Sequence, residues 1–449
     1  MTRVRPRAVA RSVVRGALGV GVVCVIAIGA RARAQRVETK WARTIVVGPP
    51  EGASPAERVD AARTGAARAP LPTGTLHVAW RRSLGFALDS TPLVSARGEV
   101  VVVAASGKVV VLGADGEERS HTVVGAAATS PGALTSDGTV VFMTSQGEAV
   151  GVHHGSVRFR TRLGGGRASV APLALDDGGF VVATPSEMVS MDGEGSVRAR
   201  APLDAGTAPL AILGARTANG PFVYEVFALT GDVYAWYPAP GRSPTRIGTF
   251  GGSVDDGAAL AADGTLLAVV DGTRLVALEP AHGVATTRAS TATTGTLALL
   301  GPPATHDNSV AFFAATATRT LAIALDASGA ESLRQSVASS PLPPLADGGP
   351  GRPAVPPHLG PLVDPQGDIA FALPTGELGV VTPAGAADLV SEVCARFSTN
   401  PALAALGAHP SSTFAGLAPA APFAMLVACG SGVVARVDSD FAHSPAHSP

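Results

Sequence analysis

Aromatic residues are scarce in this chain of 449: three Trp, three Tyr and fourteen Phe. The apolar share is nevertheless 46%, so a large core has to be assembled mainly from Val, Ala and Leu. Charged residues are few as well, at 15%, and they balance to a formal −1. With no excess of positive charge, nothing points to a polyanion partner such as nucleic acid. Cysteine is nearly absent, with three residues in all. The uncharged apolar run from Gly16 to Ala30 is short of the ~20 residues that a membrane-spanning helix needs. What the chain does have is Gly, 53 residues, and Pro, 36 residues. Gly takes positive φ without steric cost and marks tight turns, while abundant Pro argues against long helices.

The N-terminus has the three parts of a secretory signal. Arg3, Arg5, Arg7, Arg11 and Arg15 form a basic start, the apolar run follows, and Ala32-Arg33-Ala34 puts small residues at −3 and −1 before Gln35. Residues 1–34 are therefore predicted to be a signal peptide, with an uncleaved anchor as the alternative, and the mature protein to be periplasmic or secreted. Cys24 sits inside the apolar run behind Val23, where a lipid-attachment motif wants a small residue, so it is read as part of the signal. Cleavage leaves Cys394 and Cys429. In an oxidising compartment two remaining thiols commonly pair, and these two are predicted to form a disulfide. Two buried free thiols are the alternative.

Residues 35–75 are rich in Ala, Arg, Gly and Pro and show no strand pattern; they read as a linker or flexible arm. Beyond them a unit recurs. Pro92-Leu93-Val94, a turn at Arg97-Gly98, an apolar strand, a turn at Ser106-Gly107, a second strand and Asp115-Gly116 make the first copy. Pro131 and Pro172 open the next two, at spacings near 40 residues, with Asp137-Gly138 and Asp177-Gly178 at the matching turn. Looser copies follow to about residue 438. Asp-Gly pairs are favoured at two-residue hairpin turns, because both central positions can require positive φ. The strands between them carry few polar residues, as expected of strands covered on both faces. A fixed period with several short strands per unit is the mark of propeller blades. The prediction is an all-β chain, a single β-propeller of four-stranded blades over residues 76–441. Eight blades fit best, seven being the alternative, with residues 442–449 a disordered tail. The strand-like stretch from Leu76 to Leu84 is expected to join the last unit as its outer strand and so tie the two ends of the chain together.

The unit STPLVSARGEVVVVAASGKVVVLGADGEE resembles the blades of PQQ-like propellers, in which a small-Pro start, a Gly turn, a strand, a second Gly turn and a final Asp-Gly recur. Trp80 and Trp236 fall near the place where that family puts a docking Trp. The resemblance implies the fold. It also brings two functional classes, quinone-dependent alcohol dehydrogenases and cofactor-free members that scaffold outer-membrane assembly. The dehydrogenases hold their quinone with a vicinal cysteine pair, a calcium-binding acidic cluster and a stacking Trp. This chain has no adjacent cysteines, and no catalytic Asp matches by motif.

Other chemistry has weak footing. His153-His154 has imidazoles but no Asp, Glu or Cys at ligand spacing, and reads as a strand end and turn. Asp176-Asp177 and Asp255-Asp256 lie just before turns, where Asp side chains bond nearby main-chain N–H groups. Gly164-Gly165-Gly166 lacks the Lys and the strand–helix setting of a phosphate loop. His443 and His447 belong to a short polar tail. No catalytic, cofactor or metal residue is assigned. The expected function is a non-catalytic binding or scaffolding module for a protein or cell-envelope partner, acting as a monomer. The contact loops would be the insertions at residues 342–357 and 397–412. A quinone-dependent dehydrogenase or a hydrolase using the central channel is the alternative.

Overall fold

Each unit of the repeat folds into an up-and-down sheet because its turns are built from residues that accept the left-handed backbone. In the first unit Gly98, Gly107 and Gly116 have φ of 76°, 79° and 80°. They close three successive hairpins that join Leu93–Val94, Val100–Val103, Lys108–Leu112 and Glu118–Val123. The same order, each strand beside the next, recurs through the chain. The structure, a computed structural model, describes residues 53–60, 63–338, 359–394 and 414–440 apart from short gaps within those limits.

Eight four-stranded antiparallel sheets result. The blades span residues 93–123, 133–162, 173–202, 211–249, 254–290, 298–338 and 362–390, numbered 1 to 7 in that order. Blade 8 takes Phe414–Ala421, Ala424–Cys429 and Val433–Ser439 from the C-terminal side and Leu76–Ser83 from the N-terminal side. Leu76 lies opposite Ser439 and Ser83 opposite Val433, so the expected outer strand closes the ring in antiparallel register. Among the described residues the one α-helix is the turn Thr291–Thr294.

Burial follows strand order. The first three strands of blade 1 are buried almost throughout, whereas Glu118–Val123 is largely exposed. The first strand of a blade therefore lines the axis and the last faces solvent. Apolar clusters fill the spaces between blades. Leu93, Val101 and Val103 of blade 1 pack with Val140, Phe142 and Val150 of blade 2, for example. Each such fully buried side chain contributes about 1.5–3 kcal/mol, and no blade could bury both faces alone. Outer strands are edges that risk pairing with another chain. In seven of the eight blades the pairing of the outer strand carries a register shift, a bulge that twists an edge out of line. The exception, Ala387–Val390, is only four residues long.

One expectation needs correction. The described part of the segment read as a linker or flexible arm, residues 53–60 and 63–75, is mostly buried. The physical reason is the inner edge of each blade. The first strand pairs on one side only, so its remaining N–H and C=O groups face the axis and need partners. In blades 1, 2, 6 and 7 this segment supplies them.

Candidate functional site

At the ring axis the N-terminal segment meets the inner strands of one blade after another. Ser54 exchanges two main-chain hydrogen bonds with Val94 of blade 1, both 2.9 Å, and the Pro55 carbonyl accepts from Leu134 N of blade 2 at 2.7 Å. Thr305 N of blade 6 donates to the Thr64 carbonyl at 2.7 Å. In blade 7, Val363 N donates to the Gly65 carbonyl at 2.8 Å, and Val363 O accepts from Ala67 N at 2.7 Å. The contacts are strand-like but shared among several blades.

Two arginines extend the reach. The Arg58 Nη2 donates to the Pro303 carbonyl at 2.6 Å, with longer bonds from the same guanidinium to Pro302 and Pro361. Arg63 donates to the Ala171 carbonyl of the blade 3 entry at 3.1 Å and to Ile212 of blade 4 at 3.4 Å. Arg58 is 4% exposed and Arg63 3%, so both charges have been taken out of water. Burial lowers the Arg58 pKa to about 10 and pulls Arg63 down as well. Arg63 has an ion pair with Glu57 at 3.3 Å. Asp60, also buried, accepts from Thr64 N and Thr64 Oγ1 at 3.0 and 2.7 Å, and burial pushes its carboxyl up. The backbone is unusual at the same place. Arg58, Val59 and Arg63 have φ of 57°, 78° and 54°; for a β-branched residue such as Val59 this is strained. Room for Arg58 depends on Gly360, where a Cβ would overlap the guanidinium.

The segment leaves the axis past blade 7. Asp364 accepts from Leu71 N at 2.8 Å, and Asp388 accepts from Gly74 N at 2.7 Å. Between them Asp368 has its pKa raised to about 6, by burial first and then by the Asp364 and Asp388 charges.

The residues singled out in the sequence have simpler places. His153 ends a strand, with Nδ1 3.3 Å from Thr139 Oγ1, and His154 is a turn residue with φ 47°. Asp177 caps its turn by accepting from Gly179 N and pairs with Arg198 of the outer strand; Asp137 and Arg158 repeat that pair one blade earlier. Asp255 and Asp256 lie in the strand Val254–Leu260. Gly164 and Gly166 lie in the connection between blades 2 and 3. Residues 1–34, 342–357 and 397–412, and His443 and His447, fall outside the described residues. Cys394 and Cys429 are bonded, joining the chain just after blade 7 to the second strand of blade 8, with Cα atoms 5.6 Å apart. Among the described residues no three His, Cys, Asp or Glu side chains are grouped so as to hold a metal ion, and no helix is long and apolar enough to cross a membrane.

Trp80 does act as a docking residue. From the outer strand of blade 8 its Nε1 donates to the Ala114 carbonyl at 2.9 Å, and its ring lies over Gly116 of blade 1. Phe159 of blade 2 lies over Gly195 of blade 3 in the same way, and Ser120 of blade 1 meets Gly155 of blade 2. Trp236 instead bonds within blade 4, to the Arg242 carbonyl at 3.0 Å.

No family model matches the chain, and no curated protein matches it. Solved structures do. BamB from Moraxella catarrhalis superposes with a TM-score of 0.53 at 16% identity, over 83% of this chain and 100% of its own. The quinohemoprotein alcohol dehydrogenase of Comamonas testosteroni gives 0.56 at 12% identity, over 93% of this chain and 85% of its own. The designed protein Ika8 gives 0.56 at 13%, over 80% and 98%. The fold is that of the PQQ-like propellers. At these identities the likeness is one of fold alone. For a quinone bound at the axis, the residues present do not fit: Val59, Asp60 and the two guanidiniums take up that space.

Proposed function

We propose that this chain is an exported, non-catalytic β-propeller that binds or scaffolds a protein or cell-envelope partner through the loops of its rim, as a monomer. The observation that carries this reading is the filled axis. A catalytic ring of this type would need open space there, whereas here buried side chains and main chain occupy it. Loops on a rigid ring are the usual seat of recognition. The Cys394–Cys429 bridge suits an oxidising compartment and supports export. The insertions at 342–357 and 397–412 are the proposed contact loops. Residues 1–34 are proposed as the signal, and residues 442–449 as a tail outside the ring.

The test has three arms. N-terminal sequencing of the protein recovered from its compartment should begin at Gln35. Capture of partners from envelope extract, with the intact protein and with residues 342–357 deleted, should lose the principal partner in the second case; unchanged partners would count against that loop. Addition of quinone and calcium should produce neither a bound chromophore nor dye reduction with alcohols. Either signal would restore the dehydrogenase reading.

A further inference from the structure

The N-terminal segment is held at the axis the way a bound peptide is held. Its main chain adds to the inner edges of blades 1, 2, 6 and 7, giving hydrogen bonds that do not depend on its side chains. Its two arginines then read a set of main-chain carbonyls, Pro302, Pro303 and Pro361 on one side and Ala171 and Ile212 on the other. Gly360 leaves the space that Arg58 fills. The wall is thus a receptor surface, built from the inner edges, with two guanidinium subsites five residues apart along the bound chain.

The segment is also a poor choice for a permanent strut. Two charges are buried, and Arg58 has carbonyls for partners, an arrangement that well-packed apolar residues would match or exceed in stability. Three non-glycine residues within six positions hold positive φ. Strain of this kind is kept where a surrounding structure imposes it, and such sites tend to be functional.

We propose that the axis of this ring is a binding site for an arginine-bearing peptide segment of a partner protein, and that residues 53–60 and 63–67 occupy it in cis. Replacement of the cis segment by the partner's would couple axial binding to release of the N-terminal arm. This second site stands independently of whether the rim loops bind anything.

The test uses the full chain with a specific protease site placed at the exposed Thr75 and cut after folding. The nicked protein is mixed with an excess of a fluorescent peptide covering residues 53–67. Expected is exchange, with labelled peptide retained by a ring whose circular dichroism is unchanged. Peptides carrying Arg58→Gln or Arg63→Gln should bind about tenfold or more weakly, the scale of a lost charge-assisted hydrogen bond. Three results would overturn the proposal: no exchange short of unfolding, collapse of the ring once the segment departs, or equal binding by the Gln peptides. Partner capture by the uncut protein is measured separately, so failure at the axis and failure at the rim are distinguishable.

Discussion

Arg58 and Gly360 form a lock in which the smaller residue is as necessary as the larger. Gly360 has an ordinary φ, so Gly360→Ala puts no strain on its own backbone and acts by displacing the guanidinium and crowding the Pro302 ring. The expected cost is about 1–3 kcal/mol of stability, read by chemical denaturation, while Gly164→Ala, at a glycine of ordinary φ where the new Cβ meets nothing closer than 3.4 Å, should cost far less. Glu225 is a second residue whose environment sets its behaviour. It is fully buried in the second strand of blade 4, both carboxylate oxygens lack hydrogen-bond partners, and burial raises its pKa from 4.5 to about 8. The folded state therefore keeps a proton that the unfolded chain has lost. Its contribution is fully present below pH 4.5 and is lost as pH rises towards 8, by roughly 1 kcal/mol per pH unit in that window. Glu225→Gln should flatten that dependence, and denaturation midpoints at pH 5 and pH 8 measure it. The sequence held a hint of this residue, since a Glu stood inside a strand that the repeat required to be covered on both faces. It held no hint of Arg58 or Arg63, because apart from contacts within their own segment their partners are carbonyls contributed by four separate blades.

Strands and turns were the most legible scale. Asp-Gly and related pairs mark the hairpins, and the apolar runs between them are the buried second and third strands of each blade. The outer strands are harder to see. Arg158, Arg160 and Arg162 in one, and Arg198 and Arg200 in another, alternate with less polar residues, and Arg158, Arg160, Arg198 and Arg200 pair with acids on neighbouring strands or turns. The axial segment was misread for a related reason. It touches strand edges with its main chain, so it has no need of the alternating pattern that a strand covered on one face must show. The disulfide was legible from the expectation of export and the cysteine count. It fastens the chain after blade 7 to blade 8, next to the closing sheet. Its reduction should cost about 3 kcal/mol, seen as a lower denaturation midpoint in reductant, and Cys394→Ala with Cys429→Ala should lower the midpoint equally while abolishing the response to reductant.

At the scale of the whole molecule the chain closes twice. Leu76–Ser83 completes blade 8 from outside, joining the N-terminal side to the last sheet. The residues just before it fill the axis and join six blades from inside. The second closure gives a ring whose center is occupied by its own chain. Hydrogen exchange followed by mass spectrometry measures it directly. The amides of Thr64, Ala67 and Leu71, which donate to Asp60, Val363 and Asp364, should exchange at least about a hundredfold more slowly than those of an unstructured chain. Exchange at the rate of an unstructured chain would place the segment outside the ring, reopen the axis, and contradict the account.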